Sequence, residues 1–174
     1  KDEYKEQKKV AFLIFVLGLI MSFLIPVWQS PDEYSHLRMI GNSVKVEGFA
    51  DKMMESIGIE NGRIEFNYDE KVNIEEEKQA LWREPTYERT EMLPNGVTLS
   101  IIKHFPATLG IMLGIIVGLP TIWVMHLGEL FSLIFYTVAC YYSLKIMPIK
   151  KSALAFIMTF PMALQQAGSI NYDA

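Results

Sequence analysis

An all-α integral membrane protein is the fold class this sequence predicts, on three observations. The apolar residues gather into a few long runs. Lysines cluster beside two of those runs, as the positive-inside bias requires. The segment between the first run and the later ones is polar and rich in acids. The chain has 174 residues, of which 51% are hydrophobic. That fraction is near the soluble average, so distribution carries the prediction. A net charge of −4 and a pI near 5.4 weigh against a nucleic-acid partner. Cys140 is the only cysteine, which excludes an intrachain disulfide and a cysteine-based zinc site. Inside an apolar run it reads as a small buried hydrophobe.

Residues 1–9 are charged and carry Lys1, Lys5, Lys8 and Lys9, which predicts a cytoplasmic N-terminus. Residues 10–27 carry no charge and predict transmembrane helix 1. A cleaved signal peptide has a shorter core followed by small residues, whereas Pro26, Trp28 and Gln29 stand here. Residues 28–120 form a first external loop. Within it, Met39–Met54 predicts a short surface helix, and Ile64, Phe66 and Tyr68 alternate weakly like a strand. Pro85, Pro94 and Asn95-Gly96 mark turns, and Glu75, Glu76 and Glu77 form a solvated face. Residues 105–119 are apolar but short, which suits an interfacial or re-entrant helix; Gly110, Gly114 and Gly118 there equally suit close helix packing. Residues 121–146 predict transmembrane helix 2. A cytoplasmic loop at 147–151 and transmembrane helix 3 at 152–168, with Pro161 inside it, precede a second external loop beginning at 169–174.

The lysines decide this topology. If 105–119 crossed, Lys145, Lys150 and Lys151 would fall outside, against the bias. With 105–119 in the interface, both lysine clusters are cytoplasmic. Asp32 and Asp173 then emerge on the same outer face.

The stretch VWQSPDEYSHLRMIG, residues 27–41, is the chemical centre. Pro31 favours an extended Ser30, which makes Ser30 a candidate N-cap. Asp32 and Glu33 suit the positive end of the following helix. His36, one turn after Asp32, shares its face. A carboxylate and an imidazole there can hold a divalent cation, Mg or Mn, or move a proton. Acids in a first turn also commonly do no more than cap it.

Three short motifs carry a resemblance: SPDEYSH after the first membrane helix, HFP before the short apolar helix, and SINYD after the last. Together they resemble a bacterial family of polytopic membrane proteins of unknown function. That family looks related to the C-type (GT-C) glycosyltransferases, which include protein O-mannosyltransferases, aminoarabinose transferases and oligosaccharyltransferases. The resemblance implies the N-terminal part of a GT-C-like helical bundle within a longer protein. It also implies a long first external loop carrying interfacial helices. The implied activity is transfer of a sugar from a polyprenyl-phosphate carrier to an extracytoplasmic acceptor, at the outer face of the cell membrane. It maps the general base or metal partner onto Asp32, with Glu33 as the alternative, and a second acid onto Asp173. His104 resembles the histidine of a His-Pro-Pro motif, although this sequence reads His-Phe-Pro. The metal set would be Asp32, His36 and Asp173, and His36, Arg38, His104 and Glu129 would face substrate.

A departing phosphate needs a basic side chain. Arg38, Arg83 and Arg89 are candidates, and all three equally suit lipid headgroups. Glu129 lies inside a membrane helix, where a carboxylate is costly. His126 shares its face. The pair either lines a substrate cavity or ties helices together. Gln165 and Gln166 precede the second external loop and can bond across helices. Trp28, Trp123, Tyr141 and Tyr142 fit interfacial belts. The competing functions are a non-enzymatic transporter or an assembly partner for surface-polymer export, and an extracytoplasmic binding module. Glu129 and Pro161 are the features that favour a transporter.

Overall fold

The computed structural model describes residues 2–25, 32–56, 78–79, 81–85 and 87–170. Trp28, Ser30, Pro31, the Ile64–Tyr68 alternation, the Glu75–Glu77 run and Asp173 lie outside them. The described residues are helices and loops. In chain order they are α1 (Asp2–Leu24), α2 (Glu33–Ser43), α3 (Phe49–Ser56), α4 (Phe105–Val117), α5 (Thr121–Ile146), α6 (Lys151–Met158) and α7 (Pro161–Ala167). Two 3₁₀ segments, Arg89–Met92 and Leu99–His104, lie between α3 and α4. Three helical stretches are long and apolar enough to cross a membrane: Lys5–Leu24, Leu99–Val117 and Thr121–Ile146.

α5 is the axis. Its 26 residues give about 39 Å, more than the ~30 Å hydrocarbon core of a bilayer. α1 runs antiparallel to it. Gln7 Nε2 donates to the Leu144 carbonyl (3.4 Å) at one end, Gly18 packs on Leu133 in the middle, and Ser22 bonds Glu129 at the other. Apolar burial does little to join helices in lipid, so small residues and hydrogen bonds carry this seam.

α4 packs along the opposite side of α5, also antiparallel. Gly110 faces the Leu127 carbonyl and Gly128, while Gly114 faces Val124 at 3.1 Å from an added Cβ. The turn between them needs Gly118, which has φ +81 and lies under the Arg89 guanidinium. The glycine spacing therefore serves close packing. α4 lies alongside α5 from the turn at Gly118 to the Phe105–Phe135 contact. The preceding 3₁₀ turn extends the apolar stretch to 19 residues.

The segment expected as one helix over 152–168 is two. Pro161 has no N–H to continue the ladder, and the chain breaks at Thr159-Phe160. α7 runs back up beside α1, where Gly168 meets the Gly18 carbonyl (3.1 Å from an added Cβ). Ile14, Cys140 and Leu164 form the small core joining these helices.

The loop helices cap the bundle beside α4. The single helix expected over Met39–Met54 is divided into α2 and α3 by a turn with Lys45 at φ 56 and Gly48 at φ 64. α2 buries Glu33, His36, Leu37 and Ile40, a spacing of three, four and seven that makes one face. α3 buries Phe49, Ala50 and Met53 against that face. Both pack with Met92 on Ala107, Ile111, Ile115, Ile122 and Met125 of α4 and α5. Ile170, three residues past α7, is buried in the same core.

Candidate functional site

α2 and the Leu99–His104 segment are fastened together by short-range polar contacts. Thr98 N–H donates to the Ser43 carbonyl (2.9 Å), and the Ser43 and Ser100 hydroxyls bond at 2.8 Å. His104 follows at the point where 3₁₀ geometry gives way to α4, with φ −115 and ψ 18. Its carbonyl accepts from Thr108 Oγ1 at 2.9 Å, and Pro106 fills the first turn, where no N–H is needed.

This register brings His104 onto His36, 68 residues away in the chain. His36 Nδ1 lies 3.1 Å from His104 Nε2, with ring centroids 5.3 Å apart. Both rings are buried. One nitrogen must donate and the other accept. Glu33, one turn before His36 on the same face, is 2% exposed. Two sequence motifs, SPDEYSH and HFP, thus meet in one buried acid–imidazole cluster.

Asp32 does not join it. The residue is exposed and adopts φ 62, ψ 9 immediately before α2, with no capping bond from its side chain. Its backbone carbonyl does accept from His36 N–H (3.0 Å), so the turn is made. Sharing a face at a spacing of four presumes that both residues are helical. The left-handed backbone at Asp32 breaks that premise and leaves its side chain outside while His36 turns in. Among the described residues no three His, Cys, Asp or Glu side chains gather to hold a metal ion. Of the expected metal set, Asp32 and His36 diverge, His36 Nδ1 faces His104, and Asp173 lies outside the described residues.

Arg38 is exposed on the far side of α2. It lines a polar notch of about 440 Å³ with Tyr34, Asn42, Glu47 and Asp51. Tyr34 donates to Asp51 Oδ1 at 2.7 Å, and that bond, with partial burial, raises its phenol above the ordinary range. Arg89 is held at the α4–α5 turn, and Arg83 is exposed.

A second buried cluster lies between α1 and α5. Glu129 Oε2 accepts from Ser22 Oγ (2.6 Å) and lies 2.8 Å from His126 Nδ1. Phe23 and Trp123 flank the imidazole at 4.9 Å and 6.1 Å. Glu129 therefore ties two helices and lines neither cleft. Ser22, absent from the sequence argument, was legible as a lone hydroxyl in an apolar run. A third polar region, a cleft of about 280 Å³, opens between α4, α5 and α7 beside His104, Lys103 and Gln166.

Residues 15–174 match the family described as predicted membrane protein, DUF2142. The chain belongs to that family. No curated protein matches it, and no solved structure does. Membership agrees with the apolar helices in making this a membrane protein in contact with the lipid bilayer. Within the family's matched span lie all the residues of both buried clusters.

Proposed function

We propose that this chain is the N-terminal part of a membrane glycosyltransferase with a GT-C-like bundle. It would move a sugar from a polyprenyl-phosphate carrier to an acceptor outside the cytoplasm. The observation that carries this is the meeting of His36 and His104 beside buried Glu33. Two of the three motifs behind the resemblance, SPDEYSH and HFP, meet through these rings, which supports the reading. In this reading a carboxylate takes the acceptor hydroxyl proton as its oxygen attacks the sugar's anomeric carbon. The bond from that carbon to the phosphate oxygen breaks, and the lipid phosphate leaves with the electron pair. Glu33 replaces Asp32 as the preferred base, because it shares the buried face with His36 while Asp32 faces out. The imidazole pair holds or relays the proton.

The test uses the full-length protein in cells lacking their own copy. Surface glycans are compared by mass spectrometry, with membrane protein levels checked. Glu33→Gln should lower transfer by about 10²–10⁴-fold, the usual worth of a general base. Asp32→Asn should be milder. Unchanged glycans in Glu33→Gln and in the Asp32→Asn, Asp173→Asn double variant would reject the enzyme.

The transporter alternative has its own support in the α6–α7 break and the Ser22–Glu129–His126 cluster, since transporters use broken helices and polar groups inside the bundle. Solute flux into proteoliposomes that Glu129→Gln abolishes, without any glycan change, would favour it.

A further inference from the structure

We propose that acyl chains of the leaflet at the Thr121 end of α5 cover the exposed face of α4, so that the His36–His104 pair stands within the thickness of the bilayer. Phe105, Leu109, Leu113 and Ile116 follow at spacings of four, four and three and make one strip of α4, between 41% and 62% exposed. The Phe105 ring meets the Phe135 ring edge-on at 6.1 Å. The strip therefore runs on into Ile134, Phe135 and Val138, the exposed apolar residues of α5. α5 is long and apolar enough to cross the membrane, and a face continuous with its own meets the same lipid. The charges of the loop helices lie elsewhere. Arg38, Lys45, Glu47, Asp51 and Glu55 are exposed on α2, α3 and the turn between them. α2 and α3 pack on the face of α4 that carries Ile111 and Ile115. α4 thus divides an apolar side of the molecule from a charged one.

Contacts along α5 fix the level of the imidazole pair. Gly110 faces Leu127 and Gly128 across antiparallel helices, so His104, six residues earlier, is level with Leu133 and Ile134. Gly18 of α1 packs on the same Leu133, in the middle of the uncharged stretch 10–27. Past Gly18, Ile20, Phe23 and Leu24 remain apolar and exposed. Leu24 is six residues on, about 9 Å along the helix. Where lipid reaches Leu24, the pair lies about 9 Å deeper. Water then reaches it from the side of α2 and α3, because charge and non-helical backbone persist at that depth only against protein or a water-filled cavity. For the sugar-transfer reading this adds a condition: the reacting end of a substrate must pass below the plane of the lipid headgroups. The depth itself requires neither Glu33 nor any reaction.

The test is nitroxide accessibility in the full-length protein, reconstituted in phosphatidylcholine vesicles on a Cys140→Ser background. Single labels go on Leu109→Cys, Leu113→Cys, Ile116→Cys, Leu24→Cys and Glu55→Cys, all at exposed positions. Labels at Leu109 and Leu113 should relax faster with oxygen than with a nickel chelate, the pattern of lipid, and the label at Glu55 the reverse. Oxygen-to-nickel ratios should set Leu109 level with Leu24 and about 10 Å deeper than Ile116, the rise of seven helical residues. Unsubstituted protein, in vesicles whose phospholipid carries a diazirine on its acyl chain, should be crosslinked within residues 105–117; this carries the test if a labelled variant fails to fold. Nickel access above oxygen access at Leu109 and Leu113 would put α4 in water and overturn the proposal. Closure to both reagents, with no acyl crosslink, would mean that protein covers the strip and would overturn it as well. So would equal depths at Leu109 and Ile116, the result for a helix lying flat on the surface. None of these readings uses glycan transfer, so their failure would leave the proposed function standing.

Discussion

Replacing single glycines along the α4–α5 seam should produce a graded series, set by what each new methyl group meets. At Gly110 an added Cβ overlaps the Leu127 carbonyl oxygen and sits 2.9 Å from the Gly128 Cα. Both are backbone, so relief requires the helices to separate. Overpacking of this kind costs about 1–3 kcal/mol, offset by up to ~1 kcal/mol of helix propensity gained over glycine. Gly110→Ala should therefore destabilise by about 1–2 kcal/mol. At Gly128 the Cβ meets Ile111 Cγ1 at 2.8 Å and the Ala107 carbonyl oxygen at 3.3 Å, a tight side-chain contact and a looser backbone one. Gly128→Ala should cost less than Gly110→Ala, about 0.5–1 kcal/mol. Gly118→Ala meets both the Arg89 guanidinium and a φ of +81, and should cost at least about 1–2 kcal/mol. Reversible unfolding of the purified protein in mixed detergent and SDS micelles measures all three. A second readout follows from His104 riding on the amino end of α4. A cysteine pair at positions 36 and 104 should crosslink readily in the parent and more slowly with Gly110→Ala. Equal costs at Gly110 and Gly128 would refute the backbone-contact argument and with it the packing that sets His104.

Three further outcomes follow from particular contacts. Ser22→Ala removes the bond to Glu129 across α1 and α5 and should cost about 0.6–2 kcal/mol in the same unfolding assay. Ser56 and Thr121 hydroxyls bond each other and join the end of α3 to the start of α5, so Thr121→Val should cost about 1 kcal/mol and speed proteolysis after α3. Tyr34 is raised by the bond to Asp51 and by burial; its share of stability is present in full below pH ~10 and drains away as pH rises through the higher folded-state value. Asp51→Asn should bring the Tyr34 titration, read by tyrosinate absorbance, back down toward the ordinary range.

The helices themselves were largely legible. Apolar run lengths located α1 and α5, and the prolines marked where helices start. What the sequence could not resolve was how a run divides or leans. Pro161 stood in plain sight, yet whether it kinks a helix or ends it depends on the α7 partner, Gly18 of α1. The short run at 105–119 reads as interfacial or re-entrant from its length and from the lysine bias. The 3₁₀ turn before it and the glycine face against α5 are visible only once the hairpin is closed.

At Asp32 the backbone departs from the spacing argument for one reason. Spacing ranks Asp32 and His36 as neighbours because it assumes a regular helix from the first acid onward. A single residue with φ 62 moves the start of α2 to Glu33 and turns Glu33, not Asp32, onto the buried face. Spacing counted from Glu33, with His36, Leu37 and Ile40 following at three, four and seven, gives the buried face correctly. The same count meets the buried face at three positions from Glu33 and at His36 and Ile40 from Asp32, so spacing alone does not separate the two acids. Backbone conformation at Asp32 decides which carboxylate is buried with His36. Asp32→Gly, which adopts φ 62 without strain, should preserve the arrangement and any activity. Asp32→Val, which resists it, should disturb the packing of His36 on His104. Loss of activity in Asp32→Gly with the packing of His36 on His104 intact would mean that the Asp32 carboxylate itself takes part.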